Sequence, residues 1–167
     1  MVGPLRRRAV IDGALLRRAF GVLGPTEALT AILAFVLLLM VGGWTVGTPP
    51  GGALLAVASG TAFTAVVLGQ MANAFACRSE TRSVLRTGLL GNPLLLVAVG
   101  LELAMLMVFL GVPPIAGLLG GTVPDTLGRS LALVAVPAVW GADPLHKRHR
   151  AGAAHRGAVK VAAPSAR

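Results

Sequence analysis

The apolar residues of this chain come in long blocks, not in alternation and not on one face of an amphipathic repeat. Residues 19–41 form a 23-residue block in which Glu27 is the only charge, and residues 53–76 form one of 24 with none. Residues 94–112 add 19, interrupted only by Glu102. At 1.5 Å rise per residue, about 20 such residues cross the hydrocarbon of a bilayer, so each block predicts a membrane-spanning helix. A fourth block is weaker. Residues 130–142 supply 13 uncharged positions with Pro137 among them. This segment reaches a crossing length by recruiting Leu127 and Gly128, with Arg129 snorkelling to the interface. The expected fold is all-α: a polytopic membrane bundle of four transmembrane helices at about 19–41, 53–76, 94–112 and 127–142.

The connections agree with that division. The stretch from Gly42 to Gly52 is turn-rich and carries no charge, whereas 77–91 is polar and holds Arg78, Arg82 and Arg86. Asn92-Pro93 suits a helix start, because proline fits the first turn. Residues 112–126 are rich in Pro and Gly and mostly apolar, which suggests a loop that partly re-enters the membrane. A basic segment, 1–18, precedes the first block. After Asp143-Pro144 the tail, 143–167, is basic and then Ala/Gly-rich, and is expected to be disordered.

Composition removes the soluble alternatives. With 55% hydrophobic and 13% charged residues, the chain has half the charge of an ordinary soluble domain, which carries about 25%. Its single cysteine, Cys77, excludes an internal disulfide, and no Cys/His spacing suggests zinc. The net charge of +9 does not mark a nucleic-acid groove. All 15 Lys and Arg residues but Arg129 lie before the first block, between the second and third, or after the last. By the positive-inside rule both termini are then cytoplasmic, which requires an even number of spans and supports the fourth. The first block is too long for a signal-peptide core and contains Glu27, so it reads as a retained helix. The expected location is the cell membrane, multi-pass, with the lipid bilayer as one partner and no nucleic acid.

Polar side chains inside a bilayer are costly, so the few that occur are the candidate chemistry. They are Glu27, Gln70, Asn73 and Glu102. Glu27, Gln70 and Glu102 lie 8, 6 and 8 residues from the basic-side ends of their blocks, roughly 12, 9 and 12 Å deep. Three helices thus place a polar group in one layer. On the second helix Ser59, Gln70, Asn73 and Cys77 form a narrow stripe, beside a small-residue row, Thr61, Ala65, Gly69 and Asn73. Such a row lets a neighbouring backbone approach closely, and this helix is expected to be buried in protein over its cytoplasmic two-thirds, not facing lipid. Two readings stay open for the polar layer: hydrogen bonding between helices, or a cation path. Glu27 is the weaker candidate, because the Gly24-Pro25 pair before it can delay the helix start and leave it near the interface. His146, His149 and His155 belong to the solvated basic tail. No phosphate-binding loop and no Ser/His/Asp set occurs, so no catalytic residue and no cofactor is expected in this chain.

The second block also carries a resemblance. The run from Ala58 to Glu80 is similar to the eighth transmembrane helix of cation-transporting P-type ATPases, and its end, Asn73-Ala74-Phe75-Ala76-Cys77-Arg78-Ser79-Glu80, resembles the N-x-F-x-x-R-S-E exit of that helix. Leu23-Gly24-Pro25-Thr26-Glu27-Ala28 is similar to the start of the seventh, and Asn92-Pro93 with Val112-Pro113-Pro114 matches the bounds of the ninth. The resemblance covers roughly 15–150 and implies helices seven to ten of a ten-helix pump. It implies that Gln70 stands where the calcium-pump branch has an acidic cation ligand, with Asn73 three residues on. Glu102 is an unaligned counterpart of an acidic residue near an ion path in related sodium pumps.

A complete pump of this kind uses ATP and magnesium through a phosphorylated aspartate in a D-K-T-G-T motif, which is not in these 167 residues. The expectation is a C-terminal membrane segment that supports the ion pathway beside a separate chain carrying the phosphorylation and nucleotide-binding domains. The alternatives are an autonomous four-helix scaffold or regulator that self-associates through the small-residue row, or a remnant of a truncated pump gene.

Overall fold

A computed structural model describes residues 19–76 and 93–142. The basic N-terminal segment, the arginine-bearing connection with Cys77, and the tail with its three histidines lie outside the described residues. Every regular element among those described is helical. Helix α1 (Gly24–Val41) follows directly on a π-helical turn, Ala19–Leu23. Helix α2 is Gly52–Ala76, α3 is Pro93–Gly111, and α4 is a short helix, Pro113–Leu119. Helix α5 begins at Thr126–Leu133 and resumes over 135–142.

Three of these, Phe20–Val41, Gly52–Ala76 and Pro93–Gly111, are long and apolar enough to cross a membrane. The last, Thr126–Ala142, is apolar but shorter. Its interruption has a local cause. Pro137 has no N–H, so the carbonyl of Leu133 loses its i+4 donor and is crowded by the ring; the N–H of the same peptide, that of Val134, bonds to Leu131 O at 3.2 Å, a tighter turn than the i−4 bond to Ser130. Asp125 caps the start, its carboxylate accepting from Gly128 N at 2.7 Å.

Helix α2 is the spine, with α1 and α5 packed against one side of it. The small-residue row makes that approach possible. Thr61 is fully buried, with its hydroxyl returned to Val57 O at 2.8 Å and its side chain against the Cα of Gly128. One turn on, Ala65 packs with Ala31 and Ala34 of α1 and with Ala132 and Ala135 of α5. Next comes Gly69, where an added Cβ would lie 2.7 Å from Glu27 Cγ. The row is therefore filled from within the chain.

Two contacts fix the ends of α5. Near its start, Thr122 N donates to Ala56 O at 3.1 Å, and the Thr122 carbonyl occupies the space where a Gly60 Cβ would be. The Pro/Gly-rich connection thus folds back along the first turns of α2. At the other end, Trp140 Nε1 donates to Ala72 O at 3.1 Å, over a cluster of Leu23, Ala72 and Val139. Trp140→Phe keeps an aromatic ring, smaller than the indole, and removes that bond. It should lower stability in detergent or lipid by about 0.5–1.5 kcal/mol, read as a shift in the unfolding midpoint.

The turn between α1 and α2 closes on itself. Trp44 Nε1 donates to Thr48 O at 2.7 Å, and Gly43 and Gly47 take the left-handed φ of 88° and 96° that the turn requires. Helix α3 lies on another side of α2 and buries little beyond Leu106 and Leu110, which pack with Val67. Phe109 also meets Phe63, ring centres 6.2 Å apart. Its outer face, including Leu94, Val97 and Leu101, is exposed hydrocarbon.

Candidate functional site

Each helix brings one polar group to a common level. Glu27 lies seven residues from Phe20, Gln70 six from Ala76, and Glu102 nine from Pro93, or roughly 9–14 Å from those ends. The π turn is what sets Glu27's position. Pro25 has no N–H, and helical structure continues through Ala19–Leu23 in the wider form and enters α1 without a break. Glu27 is 7% exposed and its side chain lies over Gly69.

The Glu27 carboxyl group is hydrogen-bonded to the Gln70 side chain, and Glu102 is close enough to interact with it electrostatically. Glu102 reaches that position because it sits four and eight residues before Leu106 and Leu110, on the stripe of α3 that meets α2. It is half-buried. Asn73 is also half-buried, one turn along α2. Thr26 and Thr30 donate their hydroxyls to backbone carbonyls of their own helix.

One sequence expectation holds for only part of α2. The side with Thr61, Ala65 and Gly69 is buried, but Gln70 is exposed, as are Phe63 and Ala74 near it on the helix surface. A 3.6-residue period identifies which residues share a face and leaves open which way that face turns.

Chemically, the layer holds two carboxylates and an amide, all oxygen ligands suited to a hard cation. Among the described residues no three His, Cys, Asp or Glu side chains gather into a metal-binding group. A Ca²⁺ ion takes six to eight oxygens, more than these three side chains supply. The sequence could not show the bond from Trp140 to Ala72 or the fit of Thr122 against Gly60. Both link residues more than 60 positions apart, and their only local signal is a glycine inside an apolar helix.

An all-helical fold with three helices long and apolar enough to cross a membrane defines a membrane protein. The chain belongs to the cation-transporting ATPase C-terminal family, whose model, described as "Cation transporting ATPase, C-terminus", matches residues 2–148. It is thus a transmembrane segment of the P-type cation-transport class. No curated protein matches it.

Proposed function

We propose that this chain is the C-terminal membrane segment of a cation pump, with Glu27, Gln70 and Glu102 as one wall of its ion path and ATP handled by a separate chain. The observation that carries this reading is the joining of Glu27 to Gln70, with Glu102 within electrostatic reach of Glu27, from three different helices. Asn73 adds an amide one turn away. Both termini are on the cytoplasmic side, and α5 completes a fourth crossing; the positions of the basic residues support this arrangement. Membership of the family supports the transport role.

The scaffold alternative draws less support. It needs the small-residue row as an oligomerisation face, and that row is occupied by α1 and α5. Gly69→Leu would disturb Glu27 inside the chain before it disturbed any neighbour.

Affinity purification from native membranes through a tag on the C-terminus tests the proposal. The expected result is a stoichiometric partner bearing a phosphorylatable aspartate domain. Recovery of the chain alone, stably folded, would contradict it.

A further inference from the structure

We propose that Arg129 holds the phosphate group of a phospholipid, drawn down to a low shoulder that α3, α4 and α5 form beside the taller α1–α2 pair; placing that lipid in the outer leaflet rests on the topology proposed above. The shoulder follows from the levels at which these elements meet α2. Thr122 N donates to Ala56 O at 3.1 Å, and the Thr122 carbonyl fills the space of a Gly60 Cβ. An added Cβ at Gly121 would lie 3.3 Å from Leu110 Cδ2 and 3.6 Å from Gly60 N. Gly128, in the first turn of α5, abuts Thr61. The end of α3, the end of α4 and the start of α5 therefore share the level of Gly60 and Thr61.

Thr61 stands 15 residues before Ala76, the inner end of α2, and nine after Gly52, its outer end. These separations are roughly 22 Å and 14 Å. The outer turns of α2 thus rise beyond the shoulder, accompanied by α1, whose Leu38 and Leu39 pack with Ala58. On the low side, α5 runs from Thr126 to Ala142, about 25 Å, against a hydrocarbon core about 30 Å thick. A segment shorter than the bilayer is accommodated by local thinning and by snorkelling of flanking residues. Arg129, roughly 22 Å from the inner end, falls short of the outer edge of such a core, where an unpaired cation is costly. A phosphate brought down to its level removes that cost.

The chemistry of the shoulder fits a lipid. Arg129 is exposed, and its Nε bond to the Asp125 carbonyl at 3.3 Å engages one of the five N–H donors of a guanidinium. That planar group matches a phosphate bidentately. The Asp125 carboxylate is taken up by Gly128 N at 2.7 Å. Leu133 and Val134, one turn further in, are exposed hydrocarbon that acyl chains cover. Residues 103–124, which lead to the shoulder, carry no charge, and Leu118 of α4 is 88% exposed. This rim suits acyl chains and not bulk water. A soluble phosphate would have to pass it, whereas a phospholipid presents phosphate and chains together.

The test uses the full chain in sealed right-side-out vesicles, with phosphatidylcholine bearing a photoreactive diazirine on its headgroup added to the outer monolayer. Adducts are mapped by mass spectrometry. The expected result is labelling within a turn of Arg129, reduced severalfold in Arg129→Gln and largely kept in Arg129→Lys. An acyl-chain diazirine lipid that labels the exposed face of α3 at Val97 should label all three chains equally, which shows that the variants are folded in the bilayer. Unchanged headgroup adducts in Arg129→Gln would overturn the proposal. So would equal labelling by a galactosyl diacylglycerol carrying the same diazirine, since that lipid has no phosphate. Equal labelling by soluble glycerophosphocholine with that diazirine would replace the lipid with a free phosphate ester and also overturn it. If Arg129-dependent adducts form only from probe in the inner monolayer, the phosphate contact stands and the proposed topology fails. If adducts are absent while a C-terminal tag is reached only from the cytoplasmic side, the lipid proposal fails and the topology survives.

Discussion

Gly60→Val should prevent the segment 120–125 from docking on α2 and unfold the end of the bundle where α5 starts. An added Cβ at Gly60 would fall on the Thr122 carbonyl oxygen. The obstructing group is backbone, and it is held there by the bond from Thr122 N to Ala56 O at 3.1 Å. It cannot rotate away as a side-chain end could. Overpacking commonly costs about 1–3 kcal/mol and occasionally more, and this position belongs at the upper end of that range. Gly100 is the matched control, since a Cβ there meets nothing within 4 Å. Gly100→Ala in mid-helix should stabilise α3 by up to about 1 kcal/mol. Unfolding midpoints of the two variants in the same lipid should move in opposite directions. Equal midpoints would mean that the 120–125 segment is not packed on α2.

Glu27→Gln should leave the bundle folded and sharply reduce cation transport. The substitution preserves size, so the space over Gly69 stays filled, and an amide can still hydrogen-bond to Gln70. Interhelical hydrogen bonds in membranes average about 0.6 kcal/mol, so the stability change should be of that order or less. Transport is affected differently, because the number of charged ligands tunes cation affinity. Loss of one carboxylate from a layer that holds two should weaken cation affinity by about tenfold or more, equivalent to about 1.4 kcal/mol. Glu27→Leu separates the two effects, since it also removes the bond to Gln70 and should fail in both assays. Transport unchanged in Glu27→Gln would place Glu27 outside the cation path and leave it a packing residue.

The long helices were legible because block length and charge determine them. Expected bounds of 53–76 and 94–112 compare with Gly52–Ala76 and Pro93–Gly111. The close approach along Thr61, Ala65 and Gly69 was legible too, since only small residues permit it. Burial of Glu27 was not, because Gly24-Pro25 reads locally as a break, whereas a π turn carries the chain through it. Exposure of Gln70 was hidden for another reason. Helix rotation is set by what packs on either side, and those neighbours lie far away in sequence. The break in α5 illustrates the same limit, as Pro137 was visible but the tighter turn at Val134 depends on how the helix adjusts around it.

The most direct test of the central claim is ATP-driven cation accumulation in inverted membrane vesicles, surveyed across monovalent and divalent cations. Vesicles holding this chain and its partner should accumulate a cation, and vesicles from cells lacking this chain should not. Wild-type chain should restore the activity, and Glu102→Ala should not, while the folded chain remains in the membrane. Equal accumulation with and without the chain would contradict its assignment as part of the pump's ion pathway.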